Sequence, residues 1–528
     1  MKLICTIIFA LLSFVLNGQN EFHVFPDNHR KNPGKPTGNG SLNNPWDLET
    51  ALSQNSKTVN GGDIIWLHEG TYHGRFVSKL ESNIKGKYIT VSSIPNEWAI
   101  LNGNITSKRT SVLTVTGSHV IYKDFEITWL GDFSRNQTDS NFQKSDGISH
   151  NSGVNCKFIN LIIHNNPGSG FGSWKRTGNS EINGCLIYNN GYFSTKRGSG
   201  VGIYVQNSSN QLKIIKNNTI FNNYYKGVEV WSANTNANEE YVKNITLQSN
   251  IIFNNGLPSR VFRDNLIIAT DDRNGINIAR NITVKNNIFY HNTKLSKVIE
   301  NNNASSLTLG FNNNAAIESI KVLNNIIIGR KDAIRILDVK SLQFENNIVY
   351  SGYVRLREST IKHINPNNWQ FSNNTYYTRR NTPIRVQGVR DYNIEEWNKT
   401  YGLDNHTTYK NFKEFNLNNV IDISRNEYDK NRYRVVLFDK NENDVTVDFS
   451  EYGITKGTTY AIKDVENYSE VLKSGIVGND KKIVFHMKLN KDNKNKTFDN
   501  FGVFIIEFNK VGTNEKVGFL SKFFKWIF

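Results

Sequence analysis

Asn218-Thr219-Ile220-Phe221-Asn222-Asn223 returns one period later as Asn250-Ile251-Ile252-Phe253-Asn254-Asn255. Each is a short apolar run closed by asparagine at both ends. The phrase occurs earlier as Asn160-Leu161-Ile162-Ile163-His164-Asn165-Asn166 and Gly184-Cys185-Leu186-Ile187-Tyr188-Asn189-Asn190, and later at 287–292, 325–329, 347–350 and 374–377. The step varies from 22 to 38 residues. A second unit follows within many periods: Gly170-Phe171-Gly172-Ser173-Trp174, Gly202-Ile203-Tyr204-Val205-Gln206, Gly227-Val228-Glu229-Val230-Trp231 and Ala333-Ile334-Arg335-Ile336-Leu337. Alternation every two residues, with many β-branched side chains, describes strands. Asparagine at a strand end suits a sharp bend. It tolerates a left-handed backbone, and its amide can bond the asparagine of the next coil. One coil buries too little to offset its ordering entropy, so many must stack. The pattern predicts an all-β chain built on a parallel β-helix, and the uneven period argues against propeller blades.

Composition narrows the class. Of 528 residues, 38% are hydrophobic and 21% charged, which excludes a disordered chain and a multi-span membrane protein. Thirty-eight Gly and nine Pro without a three-residue period exclude collagen. Three Cys exclude a disulfide scaffold; Cys156 and Cys185 are expected as buried free thiols. Met1-Lys2, an apolar run over 3–16 and Asn17-Gly18-Gln19 have the form of a secretory signal over residues 1–19, too short for a comfortable membrane span. The formal charge is +16, most of it in the body of the chain. That excess suits an acidic partner. For an exported chain, secreted, periplasmic or at the cell surface, the partner is an acidic polysaccharide rather than nucleic acid.

Residues 22–380 resemble the secreted right-handed parallel β-helix proteins of the polysaccharide-lyase type. The residues that carry the resemblance are Gly40-Ser41-Leu42-Asn43-Asn44-Pro45-Trp46-Asp47-Leu48, Gly62-Asp63-Ile64-Ile65-Trp66-Leu67, Gly70-Thr71-Tyr72-His73-Gly74, Lys144-Ser145-Asp146-Gly147-Ile148 and Gly200-Val201-Gly202-Ile203-Tyr204. The resemblance implies a right-handed solenoid over 20–380. Its activity is left open among lyases, glycoside hydrolases, epimerases and proteins without a known activity. Relatives often carry His just before the Gly-Ile-Tyr strand. Here Gly198-Ser199-Gly200-Val201 stands there, so no site transfers directly, although His150 and His164 lie in range.

Residues 381–425 resemble a linker. Alternating strands near 433–438, 444–449, 459–463, 482–487 and 501–508 then predict a small antiparallel β-sandwich over 426–510, an accessory domain that caps the solenoid end or binds glycan weakly. The 511–528 tail is aromatic and basic, suited to a membrane surface or to a hydrophobic flap.

Aligning second strands places Phe171, Ile203 and Val228 on one inward row, and Ser173, Val205 and Val230 on another. Gly172, Tyr204 and Glu229 then point outward, beside Trp174, Gln206 and Trp231. Rings on a wet face suit the apolar faces of sugars, so Trp174, Tyr204, Gln206 and Trp231 are candidate substrate contacts. β-Elimination of a uronate polymer requires a neutralised carboxylate, a base for the C5 proton and an acid for the leaving oxygen. Arg197 is the candidate carboxylate partner. Lys175 or Lys226 is a candidate base if neighbouring cations lower its pKa, and Glu229 a candidate acid, base or metal ligand. Asp146, Asp271 and Asp272 offer oxygens of the kind Ca2+ prefers. Hydrolysis by paired carboxylates, Asp271-Asp272 with Glu229 or Asp146, is the competing chemistry. Glycan binding without catalysis is the third reading.

Overall fold

The computed structural model describes residues 19–291, 305–488 and 499–509. The apolar run of the expected signal and the 511–528 tail lie outside them. Among the described residues no helix is long and apolar enough to cross a membrane.

The chain winds as a right-handed parallel β-helix. Successive coils build three twelve-stranded sheets, taken here in chain order within a coil; all strands of the first two and eleven of the third run parallel. The first sheet runs from Glu21–Val24 to Trp369–Ser372, the second from Gly70–His73 to Thr408–Asn411, and the third from Phe76–Ser78 to Ile384–Gln387. Solenoid strands thus persist past residue 380 into the stretch that resembles a linker. An antiparallel strand, Arg390–Tyr392, pairs with Ile384–Gln387 as the twelfth strand of the third sheet, and a helix, Ile394–Tyr401, follows it. The interior is one continuous apolar cluster from Val24 to Leu403.

Asparagine builds the corners, and paired asparagines divide the work. In Asn222-Asn223 and Asn346-Asn347 the first residue takes the left-handed bend (φ 49° and 56°), while the second turns its amide into the wall. Between the second and third sheets, Asn166, Asn190, Asn223, Asn255 and Asn265 are linked amide to amide at 2.9–3.1 Å. Between the first and second, Asn218, Asn250, Asn287, Asn325, Asn347 and Asn374 are linked at 2.9–3.2 Å. Buried amides are costly unless bonded, and each ladder satisfies its members only when coils lie in register. Glycine faces the first of these ladders. A Cβ on Gly227 would meet Asn265 O at 2.5 Å and Asn255 Nδ2 at 2.7 Å.

Beyond the solenoid lies a five-stranded antiparallel sheet, ordered in space as Val420–Arg425, Arg432–Phe438, Phe501–Asn509, Thr459–Asp464 and Lys473–Ile476. A two-stranded sheet, Val445–Asp448 with Lys482–Phe485, covers one of its faces around Val435, Leu437, Phe449, Phe485 and Phe504. The other face, with Val436, Phe438, Phe501 and Val503, packs on the outward residues of the solenoid's second sheet. Polar ties flank the contact: Glu427 holds Lys216 at 2.7 Å, and Arg434 donates to Ser249 O at 2.8 Å. The five-stranded sheet therefore closes the second sheet's outer surface along these coils, on the flank of the solenoid and not over its end as expected, because the apolar outward residues lie on that flank.

Candidate functional site

On the third sheet the register is as the alternation predicts. Phe171 pairs with Ile203 and Ile203 with Val228; Gly172 pairs with Tyr204 and Tyr204 with Glu229; Ser173 pairs with Val205 and Val205 with Val230. Phe171, Ile203, Val228, Ser173, Val205 and Val230 are buried. The row of Gly172, Tyr204 and Glu229 continues through Ile267, Thr308, Arg335, Arg355 and Arg385. Adjacent strands lie about 4.8 Å apart, so this row is a regularly spaced track of side chains.

At one end of the track the Trp174 indole, 38% exposed, lies tilted against Tyr204, with ring centroids 5.3 Å apart. Trp174 Nε1 donates to Ser149 Oγ at 3.1 Å. Trp231 meets Phe311 edge-on at 5.2 Å. Gln206 is buried, and its Nε2 donates to the Tyr204 hydroxyl and to Trp231 O, both at 3.1 Å. Both its amide protons are thus engaged within the protein. Burial, with Glu229 adding to it, pushes the Tyr204 phenol up to about 12, so the ring keeps its proton at neutral pH.

The centre is a charge network. Lys226 Nζ binds Glu229 Oε1 at 2.7 Å, with both side chains about nine-tenths covered. Arg335 donates to Asp264 Oδ1 at 2.9 Å and to Thr308 Oγ1 at 3.1 Å. Burial favours a neutral Asp264, but Arg335, Lys226 and Thr308 outweigh it and hold the carboxyl below its ordinary range. Burial likewise opposes the Lys226 ammonium, yet Glu229 and Asp264 raise its pKa. The expectation of a Lys226 base activated by neighbouring cations fails on this point, since the nearest charges are anions. Lys175 fails as a base for the same reason. It binds Glu239 at 2.7 Å over the ring of Tyr241, and these partners outweigh burial to raise its pKa.

Tyr225, next to Lys226 in the chain, gathers cations. The Arg197 guanidinium lies 3.8 Å from its ring centroid, Lys226 Nζ 4.7 Å and the Arg263 guanidinium 5.5 Å. Among the described residues neither Arg197 nor Arg263 has a carboxylate partner. Farther along the face every arginine has one: Arg335 with Asp264, Arg355 with Asp332, Arg357 with Asp338 and Arg385 with Asp391.

The three aspartates expected to hold Ca2+ do not converge. Asp146 lies three coils before Lys226 along the same edge and accepts from Ser169 N at 2.6 Å; burial raises its pKa. Asp271 pairs with Arg273 at 2.7 Å. Asp272 is buried beneath a turn and accepts from the backbone of Ala237, Ile276 and Asn277, which overcome burial and lower its pKa. Among the described residues no three His, Cys, Asp or Glu side chains could together hold a metal ion. His150 is an interior group that burial lowers to about 3, and His164 pairs with Glu126 at 2.8 Å. Cys156 and Cys185 are free and buried.

The structure thus brings together Trp174, Tyr204, Gln206, Arg197, Lys226, Glu229 and Trp231. It leaves Lys175, Asp146, Asp271 and Asp272 outside that group. It adds Tyr225, Arg263, Asp264, Phe311 and Arg335. Of these, Arg335 carried a readable signal: its alternating strand is in phase with Tyr204 and Glu229.

No family model matches the chain, and no curated protein matches it. Solved structures share its course. A rhamnogalacturonan lyase is 17% identical, over 77% of this chain and 91% of that one, with a TM-score of 0.48. The pectate lyase Pel9A is 15% identical, over 77% and 86%, at 0.46. The A-module of the mannuronan C-5 epimerase AlgE4 from Azotobacter vinelandii is 13% identical, over 69% and 91%, at 0.40. Each likeness is one of chain course.

Proposed function

We propose that the protein is an exported carbohydrate-active enzyme that cleaves an acidic polysaccharide by β-elimination on the outer face of the third sheet. The observation that carries this reading is the contrast among arginines. Four on that face have their own aspartate, while Arg197 and Arg263 lie on the Tyr225 ring with no carboxylate among the described residues, beside the Glu229–Lys226 pair. Two guanidinium groups without an acid are a place for a uronate carboxylate, which two parallel N–H donors bind well. Neutralising that carboxylate acidifies the neighbouring C5–H bond. Glu229 takes the C5 proton, and the electrons of that bond form the C4=C5 double bond. The C4–O bond breaks, and the Tyr204 phenol gives its proton to the leaving oxygen. Lys226 orients Glu229, while Trp174 and Trp231 stack on flanking sugars at about 1–2 kcal/mol each. Hydrolysis is less favoured, because it needs a carboxylic acid that holds its proton, and Asp264, the other carboxyl beside Lys226, is held ionised.

The test is incubation with uronate polymers, following the absorbance of unsaturated ends. The paired variant Arg197→Ala, Arg263→Ala is expected to lower kcat/KM about a hundredfold, a loss of about 3 kcal/mol of transition-state stabilisation. New reducing ends without that absorbance would make the enzyme a hydrolase, and retention of polymer without either product would make it a binding protein.

A further inference from the structure

Down one inward column of the first sheet stand Lys213, Ile245, Ile282, Ile320, Leu342 and Trp369. Five are apolar and one is lysine. Lys213 is 1% exposed. Among the described residues no carboxylate meets its ammonium. Instead its three N–H groups are shared among four acceptors: Gln206 O and Thr177 Oγ1, both at 2.6 Å, Ser173 Oγ at 2.8 Å and Trp174 O at 3.1 Å. Burying such a group without an anion is costly, and burial pushes its pKa well below the ordinary lysine range. His150, the other interior cation-former near it, adds repulsion when protonated. A repeat that breaks its own rule at one coil invites a local reason.

The reason lies in what the ammonium holds. Two of its four acceptors are the main-chain carbonyls of Trp174 and Gln206, which sit on neighbouring coils of the third sheet. A third, Thr177 Oγ1, itself donates to Trp174 O at 2.7 Å. An isoleucine in this column has no donor to offer those carbonyls. We propose that Lys213 is a positioning residue: from inside the solenoid its ammonium ties the Trp174 turn to the Gln206 strand and so sets the indole and the amide that prop the glycan face. The effect on glycan rests on the proposed function, whereas the effect on the indole does not.

Lys213→Met and Thr177→Val separate the two. Acrylamide quenching of Trp174 is read as the difference between each protein and the same protein carrying Trp174→Phe. Retention is read by electrophoresis through gels containing polygalacturonate or alginate. Lys213→Met is expected to change the Trp174 quenching constant at least twofold and to weaken retention at least fivefold, with an unchanged far-ultraviolet spectrum. Thr177→Val, which keeps the ammonium and three of its acceptors, is expected to act in the same direction more weakly. Unchanged quenching in a folded Lys213→Met protein overturns the proposal, as does altered quenching with unchanged retention. Failure of both variants to fold makes Lys213 a fold residue only and overturns it too. If the parent protein is retained by neither polymer, the proposed function fails while the quenching arm still decides whether Lys213 sets the indole.

Discussion

The outer faces of the second and third sheets are made by the same coils, a few residues apart, and they have opposite fates. On the second sheet the outward positions form a continuous aromatic and aliphatic stripe. Tyr188, Phe221 and Phe253 stack with centroids 4.8–5.0 Å apart, and Tyr290 stacks on Phe501 at 4.3 Å. That stripe is sealed by the five-stranded sheet. On the third sheet the outward positions are Tyr204, Glu229, Thr308 and a run of arginines, and among the described residues Trp174 stays open. One coil geometry thus supplies both a sealed surface and an open one; the outward residues decide which. The difference also explains why the accessory domain sits where it does. Apolar outward residues on a solenoid would otherwise form an exposed patch several coils long.

The largest expected effect breaks the sealed face. Phe221 is 1% exposed and stacked on both sides. Phe221→Ala is expected to cost about 3–5 kcal/mol, the range for removing a buried ring, read as a lower urea midpoint. A change below about 1 kcal/mol would mean that the five-stranded sheet contributes little to holding the solenoid.

The next effect sharpens the comparison from the interior that both faces share. His150 and His291 are buried as neutral rings, lowered to about 3 and about 4. Their folded pKa values lie below the unfolded value near 6.5, so the stability they permit is complete above pH 6.5. It is lost as pH falls toward the folded values. At pH 5 each costs about 2 kcal/mol relative to neutrality. Asp404 acts in the opposite direction. Burial raises its carboxyl to about 6, so the folded state gains a proton there as pH falls, which returns about 1 kcal/mol. The net expectation is a urea midpoint that drops between pH 7 and pH 5. A flat midpoint would mean that these rings are wet.

Much of this was legible in the sequence, and particular residues show why. The third-sheet strands alternate, so their register and inward rows could be read from Phe171, Ile203 and Val228 alone. The second-sheet strands do not alternate: Ile251-Ile252-Phe253, Ile288-Phe289-Tyr290 and Ile326-Ile327-Ile328 are apolar throughout. A strand of that kind is covered on both faces, and this was the signal for the docked sheet. The chemistry was harder to read. Lys226 and Asp264 stand at corners, where the two-residue period lapses, and Arg335 meets Asp264 across 71 positions of sequence. Charge sign was visible residue by residue, but its pairing was not. This is why Lys175 resembles a base in sequence although Glu239 pairs with it, and why no local pattern marks Arg263, which shares a ring with Arg197.

The smallest expected effect on stability carries the most functional meaning. Trp231 belongs to the open face, touches Phe311 edge-on and is partly exposed. Trp231→Ala removes no sealed contact of the kind that holds Phe221, so its cost in stability is expected to be about 1 kcal/mol, within the range for partly exposed sites. Its effect on glycan is expected to be larger: one lost stacking contact of about 1–2 kcal/mol is about a five- to thirtyfold loss of retention in a uronate gel. Measured side by side, Phe221→Ala should lower the midpoint while the protein that remains folded keeps its retention, and Trp231→Ala should do the reverse. The pair is informative because both changes delete an aromatic ring from the same solenoid. If Trp231→Ala destabilises as strongly as Phe221→Ala and leaves retention intact, the third sheet's rings are packing groups like those of the second. The two faces would then differ only in what happens to lie over them.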